Sequence, residues 1–233
     1  LHMTTPSRIK MQKILKKMVK EGCEYLILEY TAHAIDQNRL VGLRPEAVVY
    51  TNITPEHLDY FDNLDNYINT KAKLIPPSSY VCINEDDPSK GKLLNKADAL
   101  SKKVAVYDSN NLNNKFSNNF KTKFPGKYNM ENASAALCVS DLLKIKKDVA
   151  IRGLEKTPTP NGRFNIICTG PTIVIDFAHT PNSLRSLLET VRNKLTHNEI
   201  ITVVFGCAGE RDTEKRAPMG KIASELADRI VIT

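Results

Sequence analysis

The chain lacks tryptophan, paired cysteines and any long apolar run, and each absence narrows the class of protein that it can be. Its five cysteines lie far apart without a CxxC pair, which argues against a disulfide framework and against a cysteine-ligated zinc site. No apolar run approaches the roughly 20 residues that a membrane-spanning helix needs. The opening residues LHMTTPSRIK also lack the basic-then-apolar pattern of a signal peptide. These absences predict a cytoplasmic protein with reduced thiols.

The charge of the chain is basic. Its 233 residues include 33 Lys and Arg against 26 Asp and Glu, a formal charge of +7 that favours anionic partners such as nucleotides or phosphorylated substrates. The basic residues are scattered along the sequence rather than grouped. A basic nucleic-acid-binding protein therefore stays an alternative, which an absence of salt-dependent DNA or RNA binding would dispose of. We expect no nucleic-acid partner and no membrane partner.

Apolar strand signals alternate with helical segments along the chain, which is typical of parallel βαβ units. The segment KTPTPN at residues 156–161 contains two prolines and has the character of a linker. We therefore predict an α/β fold with parallel sheets and two domains, over residues 1–157 and 158–233. The strand signals are Ala47–Ile53, Tyr80–Asn84, Lys103–Tyr107, Thr172–Ile175, Ile200–Phe205 and Arg229–Ile232.

Three local patterns predict where the first elements begin and end. Gly22 follows an amphipathic segment and is expected to end a helix as its C′ glycine. Tyr25–Leu28 is fully apolar and predicts a short buried strand, with Glu29 at its carboxyl end. Thr54 followed by Pro55 predicts an N-cap and the first residue of another helix.

Chemistry-bearing side chains gather in the stretch that follows this helix start. His57 and Asp59 come just inside it, and Lys71 and Lys73 lie on a second helical segment. A helix N-terminus that follows a strand is a common place for an anion in an α/β protein. A histidine, carboxylates and lysines delivered there predict an active site for phosphate chemistry.

Several segments, in their order along the chain, resemble the Mur ligase family, and most closely its branch that adds the third amino acid to UDP-MurNAc-dipeptide. They are Thr4-Thr5, EYTAHAIDQNR, TNITPEHLDY with NTKAK, GKYNMENASAA, NGRF, DFAHTPNSL and FGCAGERDTEKR. The resemblance implies a parallel-sheet central ATP-binding domain followed by the first part of a Rossmann-like C-terminal domain. It also implies a monomeric ligase that uses ATP and two Mg²⁺ ions to join diaminopimelate or lysine to UDP-MurNAc-dipeptide through an acyl phosphate.

The resemblance implies two metal ligands and one modified lysine. Glu29 matches the glutamate that holds the magnesium bridging the ATP phosphates, and a carboxylate suits that ion. His57 matches a ligand of the second metal, although imidazole is an unusual partner for Mg²⁺. Lys71 matches the lysine that becomes carbamylated and so supplies anionic oxygens to that metal, a modification that requires a neutral amine. Lys73, two residues on, is expected to be solvated.

The resemblance also implies which residues surround the substrates. ATP is expected to contact Asn129, Asn132, Arg163, Asp176 and His179. The UDP-MurNAc-peptide is expected to contact Thr4, Thr5, Thr31, Gln37 and Arg39, and the incoming amino acid Arg211. Arginine suits such a role because its guanidinium grips a carboxylate or phosphate in a bidentate way. A helix cap is an alternative role for both Thr4 and Thr5.

The sequence departs from the family pattern at several positions. Ala32 stands where the family has a second serine, and Ala208 and Glu210 stand where it generally has glycine and aspartate. The last two departures weaken the assignment of Arg211 to the amino acid. The chain also has no GxxGKT/S phosphate loop. We therefore expect an internal piece of such a ligase, which is inactive by itself.

Two other readings of the resemblance stay open. Folylpolyglutamate synthase and cyanophycin synthetase share the family core and act on other carboxylates, but Thr4-Thr5 and EYTAHAIDQNR favour the muramyl substrate. A non-catalytic nucleotide-binding or partner-binding module is the second reading. A GxxGKT/S motif upstream of Leu1 would identify a piece of an enzyme and exclude such a module.

Overall fold

The computed structural model describes residues 5–108, 125–196, 198–207, 209 and 213–233. The chain divides by packing into two compact units, Leu1–Val106 and Tyr107–Thr233. The boundary between the two domains, which the sequence places after residue 157, stays a prediction.

The first unit alternates helices with the strands of one sheet. Its sheet has the order β1-β2-β3, and β1 runs parallel to β2 with Tyr50 opposite Ile83. The parallel pairing confirms the predicted α/β class. The elements are α1 (Arg8–Lys20), α2 (Ala32–Asp36), β1 (Ala47–Tyr50), α3 (Leu58–Phe61), α4 (Leu64–Ala72), β2 (Tyr80–Asn84), α5 (Lys90–Asp98) and β3 (Lys103–Tyr107).

Helix α1 ends where its glycine predicts. Gly22 has a φ of +79°, in the left-handed region that glycine enters without steric cost. Its N–H donates to the Val19 carbonyl at 3.1 Å, and the N–H of Cys23 donates to the Met18 carbonyl at 3.0 Å. This pair of bonds is a Schellman motif, which satisfies carbonyls at the end of the helix.

The strand predicted at Tyr25–Leu28 is wrong. In the described part of the chain these residues pair with no strand, and the Ile27 side chain is 96% exposed. An apolar run becomes a strand only where a neighbouring strand takes its backbone hydrogen bonds, and the local sequence does not report that neighbour. Glu29 is consequently exposed rather than held at the end of a buried strand.

The helix start predicted at Thr54 and Pro55 is also wrong. Helix α3 begins at Leu58, and its N-cap is His57, with φ 57° and ψ 32°. Residues 51–57 form a loop whose backbone groups bond to side chains that follow β2. Tertiary contacts therefore override the local preference of Thr-Pro for a helix start.

The core of the first unit lies around the sheet and its neighbouring helices. Apolar side chains of β1 and β2 pack against those of α4 and α5, which an α/β layer requires because each element buries one face. The buried residues of this cluster are Ala32, Val48, Tyr50, Ile53, Phe61, Tyr67, Ile68, Ala72, Ile75, Val81, Ile83, Leu93 and Ala97.

The second unit contains both an antiparallel hairpin and a parallel pair. Strands β4 and β5 pair antiparallel, whereas β6 and β7 pair parallel with Phe205 opposite Ile232. The hairpin strand β4 was not predicted. The elements are α6 (Lys127–Leu142), α7 (Lys147–Lys156), β4 (Asn165–Thr169), β5 (Thr172–Ile175), α8 (Pro181–Arg192), β6 (Thr202–Phe205), a 3-10 helix (Thr213–Lys215), α9 (Arg216–Leu226) and β7 (Arg229–Ile232).

Helix α8 begins with a strong cap. The Thr180 side chain accepts from Ser183 N–H, the Ser183 hydroxyl accepts from Thr180 N–H, and Pro181 occupies the first turn. This reciprocal pair satisfies two backbone donors and fixes the start of α8. Its Leu184 and Leu188 join the core formed with β6 and α9. Within the described ranges, none of the helices combines the length and the apolar character that crossing a membrane demands.

Candidate active site

Arg39 links two of the predicted substrate residues in the first unit. Its Nη1 donates to the Thr5 carbonyl at 3.0 Å, and its Nε donates to the Gln37 side-chain oxygen at 2.9 Å. Thr5 is 2% exposed, and its hydroxyl donates to the Glu29 carbonyl at 3.2 Å. The structure therefore brings Thr5, Gln37 and Arg39 together beside the backbone of Glu29.

Thr31 lies at the start of the helix that leads to Arg39. Its hydroxyl accepts from the Ala34 N–H at 3.2 Å, so Thr31 is the N-cap of α2. Capping holds the segment between Glu29 and Arg39 in a fixed turn. The predicted ligand residues on either side of α2 are thereby placed by a local structure that the sequence encodes.

His57 is held in an uncommon backbone conformation at the edge of an aromatic cluster. Its φ of 57° is unusual for a residue other than glycine. The His57 ring meets the His33 ring edge-on, with 4.8 Å between centroids, and His33 also contacts Tyr60 at 4.5 Å. The His57 Nε2 lies 3.7 Å from a Glu56 carboxylate oxygen.

The second imidazole of this cluster is shifted towards its neutral form. Burial lowers the pKa of His33, and the neighbouring His57 lowers it further, while Asp59 acts in the opposite direction. Two imidazoles in contact disfavour each other's positive charge. A neutral His33 imidazole retains a nitrogen lone pair that can bind a metal or a proton.

Lys71 lies half-buried in the last turn of α4 and faces carboxylates. Its Nζ is 5.1 Å from the centre of the Tyr67 ring, and its carbonyl accepts from the Tyr50 hydroxyl at 2.9 Å. Burial lowers the pKa of Lys71, and the carboxylates of Glu56, Asp87 and Glu29 partly oppose that shift. A lowered pKa increases the fraction of neutral amine, the form that reacts with carbon dioxide.

The donor set around Lys71 fits a divalent cation only if the lysine itself becomes a ligand. Among the described residues, no group of three or more His, Cys, Asp and Glu side chains is placed to hold a metal. The carboxylates of Glu56, Asp87 and Glu29 nevertheless lie near enough to act electrostatically on the Lys71 amine. A carbamate on that amine would add a further negative charge and oxygen ligands, and such a group is compatible with Mg²⁺.

Lys73 differs from Lys71 although only two residues separate them. Its side chain is 56% exposed, and its Nζ lies 3.2 Å from an Asp36 carboxylate oxygen. The hydrogen bond from Lys73 is the largest cause that lowers the pKa of Asp36. Lys73 is thus a solvated surface cation, as the sequence predicts.

The second unit holds Arg163 and Asp176 at one corner. The Asp176 oxygens accept from the backbone N–H groups of Phe164 at 2.7 Å and Ala178 at 2.8 Å. The Arg163 guanidinium carbon lies 4.7 Å from the centre of the Phe177 ring. Phe164 has a φ of 46° although it is not glycine, so this corner carries backbone strain.

His179 and Tyr128 belong to the same group of side chains as Arg163 and Asp176. The His179 ring contacts the Phe177 ring at 4.8 Å, and its Nδ1 lies 3.0 Å from the Phe177 carbonyl. Burial raises the pKa of Tyr128, Asp176 raises it further, and Asn129 and Arg163 oppose the shift. Tyr128 therefore lies within electrostatic range of three residues predicted to contact ATP.

Among the described residues, no group meets the geometry of a hydrogen bond with the buried Tyr128 hydroxyl. The Asn129 side chain lowers the Tyr128 pKa in the manner of a hydrogen bond, although its geometry does not complete one. The Asn129 Nδ2 instead donates to the Pro125 carbonyl at 2.7 Å. Asn132, one turn further along α6, is exposed.

The predicted site residues therefore form two sets, one in each unit. The first set is Thr5, Glu29, Thr31, Gln37, Arg39, His57 and Lys71, and the second is Asn129, Asn132, Arg163, Asp176 and His179. Thr4 and Arg211 lie outside the described residues, as do Ala208 and Glu210.

Sequence reasoning missed four residues that the structure adds to these sets. Three belong to the first unit: His33 against His57, and Glu56 and Asp87 facing Lys71. Tyr128 belongs to the second unit. Glu56 and Tyr128 adjoin predicted residues, and Asp87 follows a predicted strand, so position alone could have marked them. His33 gave no such signal.

Two protein-family models match the chain. The model of the Mur ligase middle domain matches residues 1–140, and the model of the Mur ligase glutamate ligase domain matches residues 162–233. Together these matches include every predicted site residue.

Individual proteins and solved structures are similar over nearly the whole chain. The UDP-N-acetylmuramoyl-L-alanyl-D-glutamate–2,6-diaminopimelate ligase of Clostridium perfringens is 32% identical over 99% of the chain and 52% of its own length. A solved structure of a ligase of that name has a TM-score of 0.70 and 25% identity, over 98% of this chain and 52% of the other. An FPGS complex with AMPPCP and folate shares the fold alone, with a TM-score of 0.69 at 14% identity over 96% and 65%. The chain spans about half the length of the curated relatives that it matches.

Proposed function

The chain belongs to the Mur ligase family, and from that membership we propose that it is part of an ATP-dependent ligase that joins 2,6-diaminopimelate to UDP-MurNAc-L-Ala-D-Glu. The relatives at 30–34% identity carry the name of that activity, which favours diaminopimelate over lysine. The observation that carries the proposal is the half-buried Lys71 within electrostatic range of three carboxylates, which suits a carbamate at a cation site.

The proposed reaction forms an amide bond at the expense of one ATP. The glutamyl carboxylate attacks the γ-phosphorus, ADP leaves, and an acyl phosphate forms. The amine of diaminopimelate then attacks the acyl carbon, loses a proton, and phosphate leaves with the carbon–oxygen electron pair. The main electrostatic obstacle is the repulsion between the carboxylate nucleophile and the polyphosphate.

The first set of residues would bind the UDP-MurNAc-peptide and the metals. Thr5, Gln37 and Arg39 already form one hydrogen-bonded group, so a ligand there meets a preorganised guanidinium. Thr31 fixes the helix between them. Glu29, His57 and the carbamate of Lys71 would hold two Mg²⁺ ions, which when bound offset the negative charge between the reacting groups.

The carbamate would form on this chain's own side chain. The neutral Nζ of Lys71 attacks carbon dioxide, a C–N bond forms, and one proton is lost to solvent. Burial of Lys71 favours this step because it lowers the pKa of the amine. A carbamate would meet Glu29, Glu56 and Asp87 as like charges, so it persists only beside a cation.

The second set would bind ATP. The Asp176 carboxylate is oriented by two backbone N–H groups, which leaves its remaining lone pairs for the hydroxyls of a ribose. Arg163 offers a cation for the phosphates, and Asn129 and Asn132 offer amides for the adenine edge. His179 and Arg211 complete the predicted contacts. We further propose a monomeric, cytoplasmic protein.

Phosphate release tests the proposal in the protein at its full native length. We expect release only when ATP, Mg²⁺, UDP-MurNAc-L-Ala-D-Glu and diaminopimelate are all present. Parallel reactions with folate and glutamate test the alternative that the FPGS fold match leaves open. Release with folate and not with the muramyl dipeptide would replace the proposed substrate, and release without any acceptor carboxylate would contradict a ligase.

A further inference from the structure

A buried polar cluster ties together the loops that follow β1 and β2. Asn84 ends β2, and Asp87 and Ser89 follow it; these side chains are 3%, 5% and 3% exposed. Because burial of a carboxylate is costly unless its oxygens accept hydrogen bonds, the partners of Asp87 show what this carboxylate holds in place. Asp87 also acts electrostatically on Lys71, but the proposed function gives it no role as a metal ligand or as a reacting group.

Both oxygens of Asp87 accept backbone hydrogen bonds. Oδ1 accepts from Ser89 N–H at 2.8 Å and also from the Ser89 hydroxyl, which closes the turn before α5. Oδ2 accepts from the N–H of Ile53 at 2.5 Å, 34 residues earlier in the chain. Bonds between an N–H and an ionised carboxylate are stronger than neutral ones. Asp87 therefore connects its own turn to the loop of residues 51–57.

Asn84 makes a second connection to the same loop. Its Nδ2 donates to the Thr51 carbonyl at 2.9 Å, and its Oδ1 accepts from Asp86 N–H at 3.1 Å. The two connections hold Thr51 and Ile53, just before the loop reaches His57. A positive φ such as that of His57 persists only when the surrounding structure determines it.

We propose that Asp87, assisted by Asn84, is a positioning residue that fixes residues 51–57 and thereby places the His57 imidazole at the candidate metal site. This inference rests on the proposed function only for the role of His57, because the hydrogen bonds exist independently of any activity. The loop needs an anchor from a distant part of the sequence because the elements on either side of it are short. A loop between a four-residue strand and a four-residue helix has little local structure to hold it.

Asp87→Asn tests the anchor with minimal change in shape. An amide has a single acceptor oxygen, so it cannot accept from both Ser89 and Ile53. Ser89 offers two donors to Oδ1, and we expect the amide oxygen to stay there, which leaves an NH₂ group facing the Ile53 N–H. The loop of residues 51–57 should then move, whereas the turn before α5 should remain.

Two control variants separate positioning from general disturbance of the turn. Ser89→Ala removes one donor to Oδ1 but leaves the bond from Ile53 intact. Glu85→Gln makes the same carboxylate-to-amide change at an exposed neighbour, which is paired with Lys90. Asn84→Asp is a second test variant and not a control: it removes the donor to the Thr51 carbonyl and is expected to resemble Asp87→Asn.

Nuclear magnetic resonance of the chain reports the position of His57 directly. Asp87→Asn and Asn84→Asp should shift the His57 ring signals and move the Ile53 amide proton upfield, and Ser89→Ala and Glu85→Gln should leave both in place. Unchanged His57 signals in folded Asp87→Asn, or equal shifts in Ser89→Ala, would overturn the proposal. If Asp87→Asn does not fold, hydrogen exchange of the wild-type chain decides: Ile53 should exchange slowly despite lying in a loop, and fast exchange would overturn the anchor.

Kinetics of the full-length protein add the functional readout. Asp87→Asn should lower kcat by about a hundredfold with little change in KM, as expected when a reacting group is displaced by about 1 Å. A rise in KM at unchanged kcat would contradict a positioning role. If the wild-type protein has no ligase activity, the proposed function fails while the resonance experiment still tests the anchor.

Discussion

At the residue scale, the clearest contrast is between Lys71 and Lys73, which lie two residues apart in the sequence. Lys71 is half-buried among carboxylates, whereas Lys73 is exposed and paired with Asp36. Burial makes Lys71 a candidate for chemistry, because it shifts the amine towards its neutral form. The candidate role of Lys71 therefore depends on its environment and not on its charge.

The pH dependence of stability follows from the lowered pKa of Lys71. The folded pKa of Lys71 lies below its ordinary value, so between the two pKa values the folded state has lost a proton that the unfolded state still holds. Stability should therefore rise as the pH increases from the folded pKa towards the unfolded value. Denaturant titrations in that range should show the free energy of unfolding of the wild type rising with pH relative to that of Lys71→Met. A constant difference between the two would contradict the shift.

The orphan hydroxyl of Tyr128 predicts a stabilising substitution. A buried hydroxyl without a partner carries a desolvation cost of about 1–3 kcal/mol. Tyr128→Phe removes that cost while keeping the ring, so its free energy of unfolding should equal or exceed that of the wild type. Tyr50→Phe is the matched control, because the Tyr50 hydroxyl donates to Lys71 and its loss should destabilise. A loss of stability in Tyr128→Phe would show that the hydroxyl has a partner.

At the element scale, the ends of helices depend on particular glycines. Gly126 precedes α6 with a φ of +96°, and a Cβ built there would lie 2.5 Å from the Thr190 hydroxyl oxygen. Gly22 follows α1 with a φ of +79° and has open space around it. The first glycine is required by both backbone and packing, the second by backbone alone.

Alanine substitution should separate these two requirements. Gly22→Ala should cost about 1 kcal/mol of unfolding free energy, the strain of a left-handed non-glycine residue. Gly126→Ala should cost more, because the same strain is joined by a clash with Thr190 on α8. Urea denaturation measures both variants, and an equal cost would contradict the close approach between Gly126 and α8.

The elements also show what sequence patterns could predict. Strands β2, β3, β5 and β7 lie where the sequence places them, because each is a short apolar run beside a turn signal. Tyr25–Leu28 has the same pattern and is not a strand, since strand formation depends on a partner elsewhere in the chain. The Thr54–Pro55 helix start failed because side chains after β2 hold that loop.

At the scale of the whole molecule, family resemblance supplied more of the candidate site than pattern did. The sequence pattern groups His57 with Lys71, but Glu29 lies too far from both in sequence to be added without the resemblance. The structure brings the carboxylate of Glu29 within electrostatic range of Lys71. It also adds Glu56, which lies inside a quoted segment but had no assigned role, and Asp87, because burial and charge around a lysine are properties of the fold.

The overall charge of +7 predicts how substrate binding depends on salt. Anionic substrates approach a basic protein faster and bind more tightly at low ionic strength. The KM for UDP-MurNAc-L-Ala-D-Glu should therefore rise as sodium chloride is increased from 50 to about 300 mM, over which the Debye length shortens. Lys73 and Lys92 are exposed cations, paired with Asp36 and Asp65, and their neutral variants Lys73→Gln and Lys92→Gln should weaken that dependence slightly. A KM independent of salt would contradict electrostatic attraction of this substrate.

The most direct test of the account is the product that the full-length protein forms, with Lys71 and Lys73 each replaced by alanine. Mass spectrometry should detect UDP-MurNAc-tripeptide containing diaminopimelate in the wild type and at near wild-type rate in Lys73→Ala. Lys71→Ala should form at least about a hundredfold less, the loss expected when a group that positions the reaction is removed. Equal product from Lys71→Ala, or no tripeptide from the wild type, would contradict the central claim.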